Sequence, residues 1–367
     1  MNKYCLTQIL VLLFSLPVEG RLFLRGSLIL PLPEDCPDTP SDIVYDGTGG
    51  HRDLYILNEF ERKVEVFDLG DKSRRTLNLN PKPNYSILGL GVQDERVFMY
   101  NYRKGTVYSY KNGNYENSYE VKSDTEVVNG RRMIPLPYVQ TLSPIKVYGE
   151  TLIMTGFRPG ESQRSPDIPD MVLCLLDLKS GRVVNVVEMP EIYGKYNWGG
   201  GFGYRMPYFD LNDEGEVICC FAASEMMTVY SLKTGRQRQV NAPSKYFGQI
   251  EPYSRTNKKA PANDIQWYRN NPSYDGILYD PWRGVYYRLA LLPERPDRRG
   301  TEDFLRKPVS IIVLDKDLRP IEETLLDESV WFRPYCSFVS PEGLFIQVRT
   351  GDEDNMTFYQ YQYEKEG

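Results

Sequence analysis

The chain has 367 residues, of which 41% are hydrophobic and 26% are charged, and these proportions exclude a disordered chain, a collagen-like fibre and a polytopic membrane protein. Its 44 Lys and Arg against 50 Asp and Glu give a net charge of −6, so we expect no nucleic-acid partner. The 29 Gly and 26 Pro break long helices and the 28 Tyr favour strands, so the composition predicts an all-β protein.

The N-terminus has the residue order of a secretory signal. Lys3 precedes an apolar run from Ile9 to Leu16, and small residues follow at Val18 and Gly20. We therefore predict a signal peptide over 1–20, and export of the mature chain to the periplasm or the cell surface. The run is shorter than the ~20 residues that span a bilayer, and no later segment is apolar enough, so no transmembrane segment is expected in the mature chain. A retained anchor and a buried first strand are the alternatives.

A turn followed by an apolar strand recurs six times after the signal. The leading apolar residues of the copies lie about 58 residues apart on average: Leu54, Val97, Leu152, Val217, Val285 and Leu344. A second hairpin follows most copies, which gives four strands per repeat, the blade of a β-propeller. No sustained 3.6-residue pattern supports a helical or two-domain α/β alternative.

The sixth repeat supplies only three strands, near 335–339, 343–348 and 356–363. Residues 21–30 form a spare strand, which would complete the last blade and remove an open sheet edge. The sequence therefore predicts one domain over 21–367: an all-β, six-bladed β-propeller with four-stranded blades, whose last blade is closed by an N-terminal strand.

The cysteines predict one disulfide and no metal site. Closure of the last blade would bring Cys36 towards Cys336, and these two form the candidate disulfide. No Cys-x-x-Cys pair occurs and His51 is the only histidine, so we expect neither a metal nor a cofactor. Cys219 and Cys220 lie side by side in an apolar strand and are predicted to be buried free thiols.

The long segments between predicted strands fall on one face of the propeller. They are 123–137, 157–169, 189–204, 241–274 and 291–307, and each joins either the second strand of a blade to its third or one blade to the next. Long loops on a rigid scaffold commonly carry binding, so this face is the predicted binding surface. The alternatives are that these loops cap the channel or are disordered.

Aromatic and basic residues in these loops suit stacking on a protein, a peptide or a glycan. The candidate binding residues are Tyr196, Trp198, Tyr204, Arg205, Trp267, Tyr268 and Arg269. The competing interpretation is that the same side chains pack the loops onto the blades.

No catalytic residue is predicted. The sequence has no Gly-x-Ser-x-Gly elbow, Walker A loop or His-Glu-x-x-His helix, and His51 lies in a short turn on the opposite face, where we expect it to be solvated. We therefore expect a monomeric, non-catalytic binding or scaffold protein. The alternative is a hydrolase or lyase that acts on carbohydrate or peptide at the mouth of the central channel.

Residues 277–288 resemble a domain-of-unknown-function family of six-bladed, TolB-like propellers exported by Gram-negative gut bacteria. The matching positions are Tyr279, Asp280, Tyr286, Tyr287 and Arg288, and the likeness extends to 271–274 and to the six-fold layout. The resemblance implies the fold and export but no particular chemistry, and we expect these five residues to be structural. Many members look lipid-anchored through a cysteine directly after the signal, but Cys5 comes too early for this and Cys36 too late.

Overall fold

The computed structural model describes residues 20–81, 87–121, 127–128, 131–132, 136–157, 171–199, 203–256, 264–295 and 306–365. Residues 1–19 of the predicted signal, Cys5 and parts of the long loops at 123–137, 157–169, 189–204, 241–274 and 291–307 lie outside this set. Among the described residues, no helix is both long and apolar enough to cross a membrane.

Among the described residues, the strands form six antiparallel blade sheets, one for each predicted blade, and one separate two-stranded hairpin. The N-terminal strand is β1 (Gly20–Pro31). Blade 1 contains β2 (Ile43–Asp46), β3 (Asp53–Asn58), β4 (Lys63–Asp68) and β5 (Arg74–Leu77). Blade 2 contains β6 (Ile87–Gln93), β7 (Arg96–Asn101), β8 (Thr106–Lys111) and β9 (Asn114–Glu120), and a small hairpin follows, β10 (Val127–Val128) with β11 (Arg131–Arg132). Blade 3 contains β12 (Leu136–Pro137), β13 (Lys146–Tyr148), β14 (Thr151–Phe157), β15 (Met171–Asp177) and β16 (Val183–Glu188).

Three further blades complete the ring. Blade 4 contains β17 (Pro207–Leu211), β18 (Glu216–Phe221), β19 (Met226–Ser231) and β20 (Gln237–Asn241). Blade 5 contains β21 (Ser273–Asp280), β22 (Val285–Leu291), β23 (Val309–Leu314) and β24 (Pro320–Leu325). Blade 6 contains β25 (Phe332–Ser340), β26 (Gly343–Val348), β27 (Asn355–Lys365) and β1. The described helices are α1 (Ile192–Lys195), α2 (Asp264–Arg269) and a 3₁₀ turn at Thr48–Gly50.

The N-terminal strand closes the ring as predicted. β1 pairs antiparallel with β27 along its whole length, from Gly20 opposite Lys365 to Pro31 opposite Asn355. The last blade thereby gains its fourth strand, and the six-bladed propeller with four-stranded blades is confirmed.

Burial on both faces explains why the middle strands of the blades are continuous apolar runs in the sequence. All seven residues of β22 and all six of β26 are buried, because a middle strand has a neighbouring blade against each face of its sheet. The outer strand β9, by contrast, is exposed along nearly all of its length. The hydrophobic core therefore lies between adjacent blades, as in the cluster that joins Leu57 and Val64 of blade 1 to Leu90 and Val97 of blade 2.

The innermost strand of blade 3 is interrupted by residues 138–145, here called the channel segment. β12 and β13 both pair with β14, and the chain between them leaves the sheet. Thr141 Oγ1 accepts the Ile43 N–H of blade 1 at 3.0 Å, and Ser143 Oγ donates to the Pro207 carbonyl of blade 4 at 2.8 Å. Because these contacts reach inner strands on different sides of the axis, the segment lies across the central channel.

Blade 2 makes room for the channel segment with a glycine. A β-carbon at Gly89 would lie 2.1 Å from Cβ of Val139, and Gly89 has φ of +90°. No other residue type combines that backbone conformation with so close an approach.

The disulfide predicted between Cys36 and Cys336 is not formed in the structure. Both cysteines are free thiols, although they lie in one buried cluster between blades 6 and 1. Cys36 Sγ faces the carbonyl of Pro37 at 3.9 Å and Cys336 Sγ faces that of Pro40 at 3.8 Å, so each thiol meets backbone oxygen rather than the other sulfur. Cys219 and Cys220 are fully buried free thiols, as predicted.

Candidate functional site

The strand order assigns the connections to two faces. The connections 189–206, 242–272 and 292–308 link blades or join the second strand of a blade to its third, so their described residues lie on one face, here called the loop face. The turn face carries the short turns 47–52, 94–95, 149–150, 212–215, 281–284 and 341–342. For the described residues of three of the five predicted long segments, the expected placement on one face is therefore found, and most of 123–137 and 157–169 lies outside the described residues.

Two of the long linkers meet on the loop face. The linker from blade 3 to blade 4 contains α1, and the linker from blade 4 to blade 5 contains α2. They are joined by a short antiparallel bridge, in which the Asn197 N–H donates to the Ser254 carbonyl at 3.0 Å and the Ser254 N–H returns a bond at 3.4 Å. The two linkers are therefore joined to each other on the loop face.

Three of the predicted binding residues form a buried aromatic tier beneath the loop face: Trp198, Tyr204 and Tyr268, with exposures of 3%, 1% and 5%. The Tyr204 ring centroid lies 5.7 Å from that of Trp198 and 5.0 Å from that of Tyr268. Trp198 Nε1 donates to the Ile192 carbonyl at 2.9 Å and the Tyr204 hydroxyl donates to the Pro272 carbonyl at 2.6 Å. These side chains pack the linkers onto the blades.

Above this tier, two partly exposed rings form an aromatic platform: Tyr253 and Trp267. Tyr196, the remaining predicted aromatic residue, is also partly exposed, and the guanidinium carbon of Arg255 lies 5.0 Å from its ring centroid. The Trp267 ring is half-buried and its centroid lies 4.6 Å from that of Tyr204 below it. Tyr253 is 39% exposed and meets Trp267 edge-to-face at 5.9 Å. Sequence reasoning missed Tyr253, which stands alone among polar residues and belongs to no periodic pattern.

The two predicted arginines are engaged inside the fold. Arg205 is buried, and burial lowers the pKa of its guanidinium. Arg269, in α2, forms a bidentate pair with Glu294 at 2.6 and 2.8 Å, and Glu294 is 1% exposed. This pair ties α2, which carries Trp267, to the long loop of blade 5.

A buried lysine fixes the end of α2. Lys307 Nζ donates to the carbonyls of Tyr268 and Asn271 at 3.1 and 2.7 Å and to Ser273 Oγ at 2.9 Å. Its Nζ also lies 4.1 Å from the Tyr268 ring centroid. Burial lowers the pKa of Lys307 to about 7, although the nearby carboxylates of Asp275 and Glu294 oppose that shift.

Asp275 connects to this lysine through hydroxyl groups. Its Oδ1 accepts a hydrogen bond from Ser273 Oγ at 2.6 Å, and its Oδ2 accepts one from the Tyr268 hydroxyl. Burial, and then the charge of Asp275, raises the pKa of Tyr204, Tyr208 and Tyr268. Sequence reasoning missed Asp275 and Lys307, although a glycine inside a strand pattern, here Gly276, is a known sign of a bulge.

The family motif residues join blade 5 to its own turn and to blade 4. The Tyr287 hydroxyl donates to Asp280 Oδ2 at 2.9 Å, within blade 5. The Tyr286 hydroxyl accepts from Asn212 Nδ2 at 2.9 Å, and the Tyr279 hydroxyl donates to Asp213 Oδ2 at 3.2 Å. All these bonds serve the packing of blades.

Arg288, the last motif residue, is fully buried. Its Nη1 donates to the carbonyls of Glu225, at 2.8 Å, and Ala242, and its Nη2 donates to that of Ser224 at 2.6 Å. Its guanidinium carbon lies 3.7 Å from the Tyr274 ring centroid. Arg288 therefore pins the loop-face end of blade 4 to blade 5.

The turn face carries a polar pocket. It has a volume of about 190 Å³ and is lined in part by His51, Asp53, Arg75 and Glu95. His51 is exposed, with Nε2 at 3.8 Å from Glu95 Oε1, as expected of a solvated turn residue. Within the described part of the chain, no group of three or more His, Cys, Asp or Glu residues has the arrangement of a metal site.

Comparison with known proteins identifies a family and solved structures of similar fold. The family model for a domain of unknown function, DUF4221, matches residues 90–325. A crystallised DUF4221 member from Bacteroides vulgatus is 20% identical, with a TM-score of 0.79 over 95% of this chain and 99% of that one. A Bacteroides fragilis protein named for its expected export is 12% identical, with a TM-score of 0.55 over 94% of this chain and 96% of that one. No curated protein matches the chain. The chain therefore belongs to the DUF4221 family, in agreement with the resemblance seen at 277–288.

Proposed function

We propose that this protein is an exported, non-catalytic binding module that engages its ligand or partner through the aromatic platform. The observation that carries the proposal is the contrast between the two aromatic layers: Trp198 is 3% exposed while Tyr253, above it, is 39% exposed. The lower layer explains how the linkers fold. The upper layer leaves rigid ring surface in reach of solvent.

Rigid aromatic side chains suit binding because they offer large contact area at a low cost in conformational entropy. Trp267 is held in place by its contact with Tyr204, and α2, which carries it, is held by the Arg269 pair with Glu294 and by Lys307. Little reorganisation is then needed when a ligand arrives, which favours affinity.

Two observations support export. The N-terminal order of one lysine, an apolar run and small residues is that of a signal peptide. The Bacteroides fragilis relative of the same fold is named for its expected export. We propose the periplasm or the cell surface as the location.

The experiment is a thermal-shift screen of the chain from Arg21 onward against soluble oligosaccharides, peptides and divalent cations, because a ligand that binds only the folded state raises the melting temperature. Three proteins are compared: the wild type, Tyr253→Ala on the platform and Trp282→Ala on the turn face. Trp282 is a matched control, since it is an aromatic residue with 47% exposure.

The proposal predicts a shift in the wild type and in Trp282→Ala that is reduced in Tyr253→Ala. A shift that survives in Tyr253→Ala and disappears in Trp282→Ala would place binding on the turn face and refute the proposal. If the whole panel is silent, the same three proteins serve as baits for protein partners, with the same expected order of capture.

A further inference from the structure

A β-bulge places Asp275 at the start of the innermost strand of blade 5. The register of β21 on β22 shifts between Tyr274 and Gly276, so Asp275 is the extra residue. A β-carbon at Gly276 would lie 2.8 Å from Leu142 Cδ1 of the channel segment, so the bulge also allows the strand to pass that segment. Bulges of this kind commonly re-aim a side chain beside a functional site.

The Asp275 carboxylate is fixed in place and keeps spare acceptor capacity. Each of its oxygens accepts one hydroxyl, from Ser273 and from Tyr268, and Lys307 in turn donates to Ser273. A carboxylate oxygen can accept two hydrogen bonds, so one position on each oxygen remains for a ligand. Asp275 is half-buried, whereas Ser273, Tyr268 and Lys307 are buried, so Asp275 is the member of this network that solvent reaches.

The surroundings favour a neutral ligand over a cationic one. Lys307 Nζ stands one hydroxyl group behind the carboxylate and interacts with its charge, so a second cation would meet repulsion whenever Lys307 is protonated. A neutral group with two hydroxyl donors uses both free acceptor positions without that penalty.

The aromatic platform supplies the second half of a sugar site. From Tyr268, which holds Asp275, the ring contacts run to Tyr204 at 5.0 Å and on to Trp267 at 4.6 Å. A carbohydrate has adjacent hydroxyls on one edge and an apolar C–H face that stacks on aromatic rings. Tyr268 and Tyr204 thus connect Asp275 to Trp267 within one packed cluster, and these two residues offer one partner for each feature of the sugar.

We propose that Asp275 is the anchoring acceptor of a neutral carbohydrate subsite on the loop face, with Tyr268 and Ser273 as positioning residues. This inference rests on the proposed function, because it names the ligand class of the same surface. Two vicinal hydroxyls of the sugar donate to Asp275, and the ring stacks on the aromatic platform.

The test is titration calorimetry of the chain from Arg21 onward with the methyl glycosides of glucose, galactose and mannose. At least one glycoside binds the wild type. Asp275→Asn, which keeps the shape but loses the charged acceptor, weakens that binding about 10- to 100-fold. Tyr268→Phe keeps the ring but removes one fixing hydroxyl, and weakens binding roughly 2- to 10-fold.

Asp213→Asn is the matched control. Asp213 also accepts a tyrosine hydroxyl, that of Tyr279, but in a turn on the opposite face. The affinity of the Asp213→Asn variant for the glycoside should equal that of the wild type. Should Asp275→Asn fail to fold, as judged by circular dichroism and melting temperature, Ser273→Ala tests the same site, since it retains the carboxylate and loses one of its supports.

The inference is overturned if none of the three glycosides binds the wild type, or if Asp275→Asn binds as well as the wild type. Its failure is distinguishable from failure of the proposed function. If no glycoside binds but a peptide does, and Tyr253→Ala weakens the binding of that peptide, the sugar subsite is overturned and the proposed function stands. A ligand unaffected by Tyr253→Ala and Asp275→Asn alike would overturn both.

Discussion

Replacement of Arg288 by methionine should destabilise the fold severely. Methionine has a similar length but no hydrogen-bond donor, so the variant removes the hydrogen bonds that the guanidinium donates to buried carbonyls. The Glu225 carbonyl keeps a bond from the Ala242 N–H at 3.1 Å, so two carbonyls, those of Ser224 and Ala242, lose the arginine without that compensation.

At about 1–3 kcal/mol for each buried group without a partner, the expected loss is about 2–6 kcal/mol. The whole fold has only about 5–15 kcal/mol of stability, so the effect is large. Equilibrium urea denaturation followed by tryptophan fluorescence measures it. Arg238→Met is the control, because Arg238 is about half-exposed and pairs with Glu216 at 3.2 Å, which is worth at most about 1 kcal/mol. A loss below about 1 kcal/mol for Arg288→Met would refute the structural role assigned to the motif.

Three further predictions concern burial and charge. The pKa of Lys307 is about 7 in the folded protein and 10.5 ordinarily, so between these two pH values the unfolded chain binds more protons than the folded chain. The contribution of this group to the free energy of unfolding therefore rises with pH across that window. Lys307→Met should flatten the rise, as measured by urea denaturation at several pH values, and an unchanged slope would contradict the shift. Trp198→Ala should lower the free energy of unfolding by about 3–5 kcal/mol in the same assay, whereas Trp282→Ala, at 47% exposure, should lower it by about 0.5 kcal/mol. Equal losses would contradict the burial of Trp198 beneath the aromatic platform. Burial raises the pKa of Cys36 to about 11 and that of Cys336 to about 12, so a thiol reagent at neutral pH should label neither until the protein is unfolded, and fast labelling of the native chain would contradict their burial.

The same reagent also tests the disulfide. The structure holds Cys36 and Cys336 as free thiols, so the unfolded chain from Arg21 onward should yield five reactive groups. Loss of two groups without a reductant, restored by one, would show that the predicted bond forms in the exported protein.

The ring of blades was readable from the sequence because its signals are local. Each blade is indicated by a polar turn and an apolar strand within about ten residues, as at Asp213 and Val217. The closing strand β1 could be predicted because the last repeat lacked one strand. No local signal, in contrast, shows that residues 138–145 cross the channel, since their partners lie on other blades.

The sequence predicted which aromatic and basic residues lie in the long loops, but not which of them are buried and which are exposed. Trp198 and Trp267 both stand in long loops, and only the packed structure shows that the first is buried and the second half-exposed. Asp275 was missed because its position depends on two distant features. One is Lys307, 32 positions later in the chain, and the other is a bulge that forms where β21 pairs with β22. Such contacts depend on tertiary structure, which residue spacing does not encode.

The most direct test of the binding face is hydrogen exchange of the chain from Arg21 onward, with and without the compound that gives the largest thermal shift. Binding at the platform predicts slower exchange confined to 189–199, 242–256 and 264–275. Protection that appears instead at the turns 47–52 and 94–95, around the pocket of His51 and Glu95, would contradict the account.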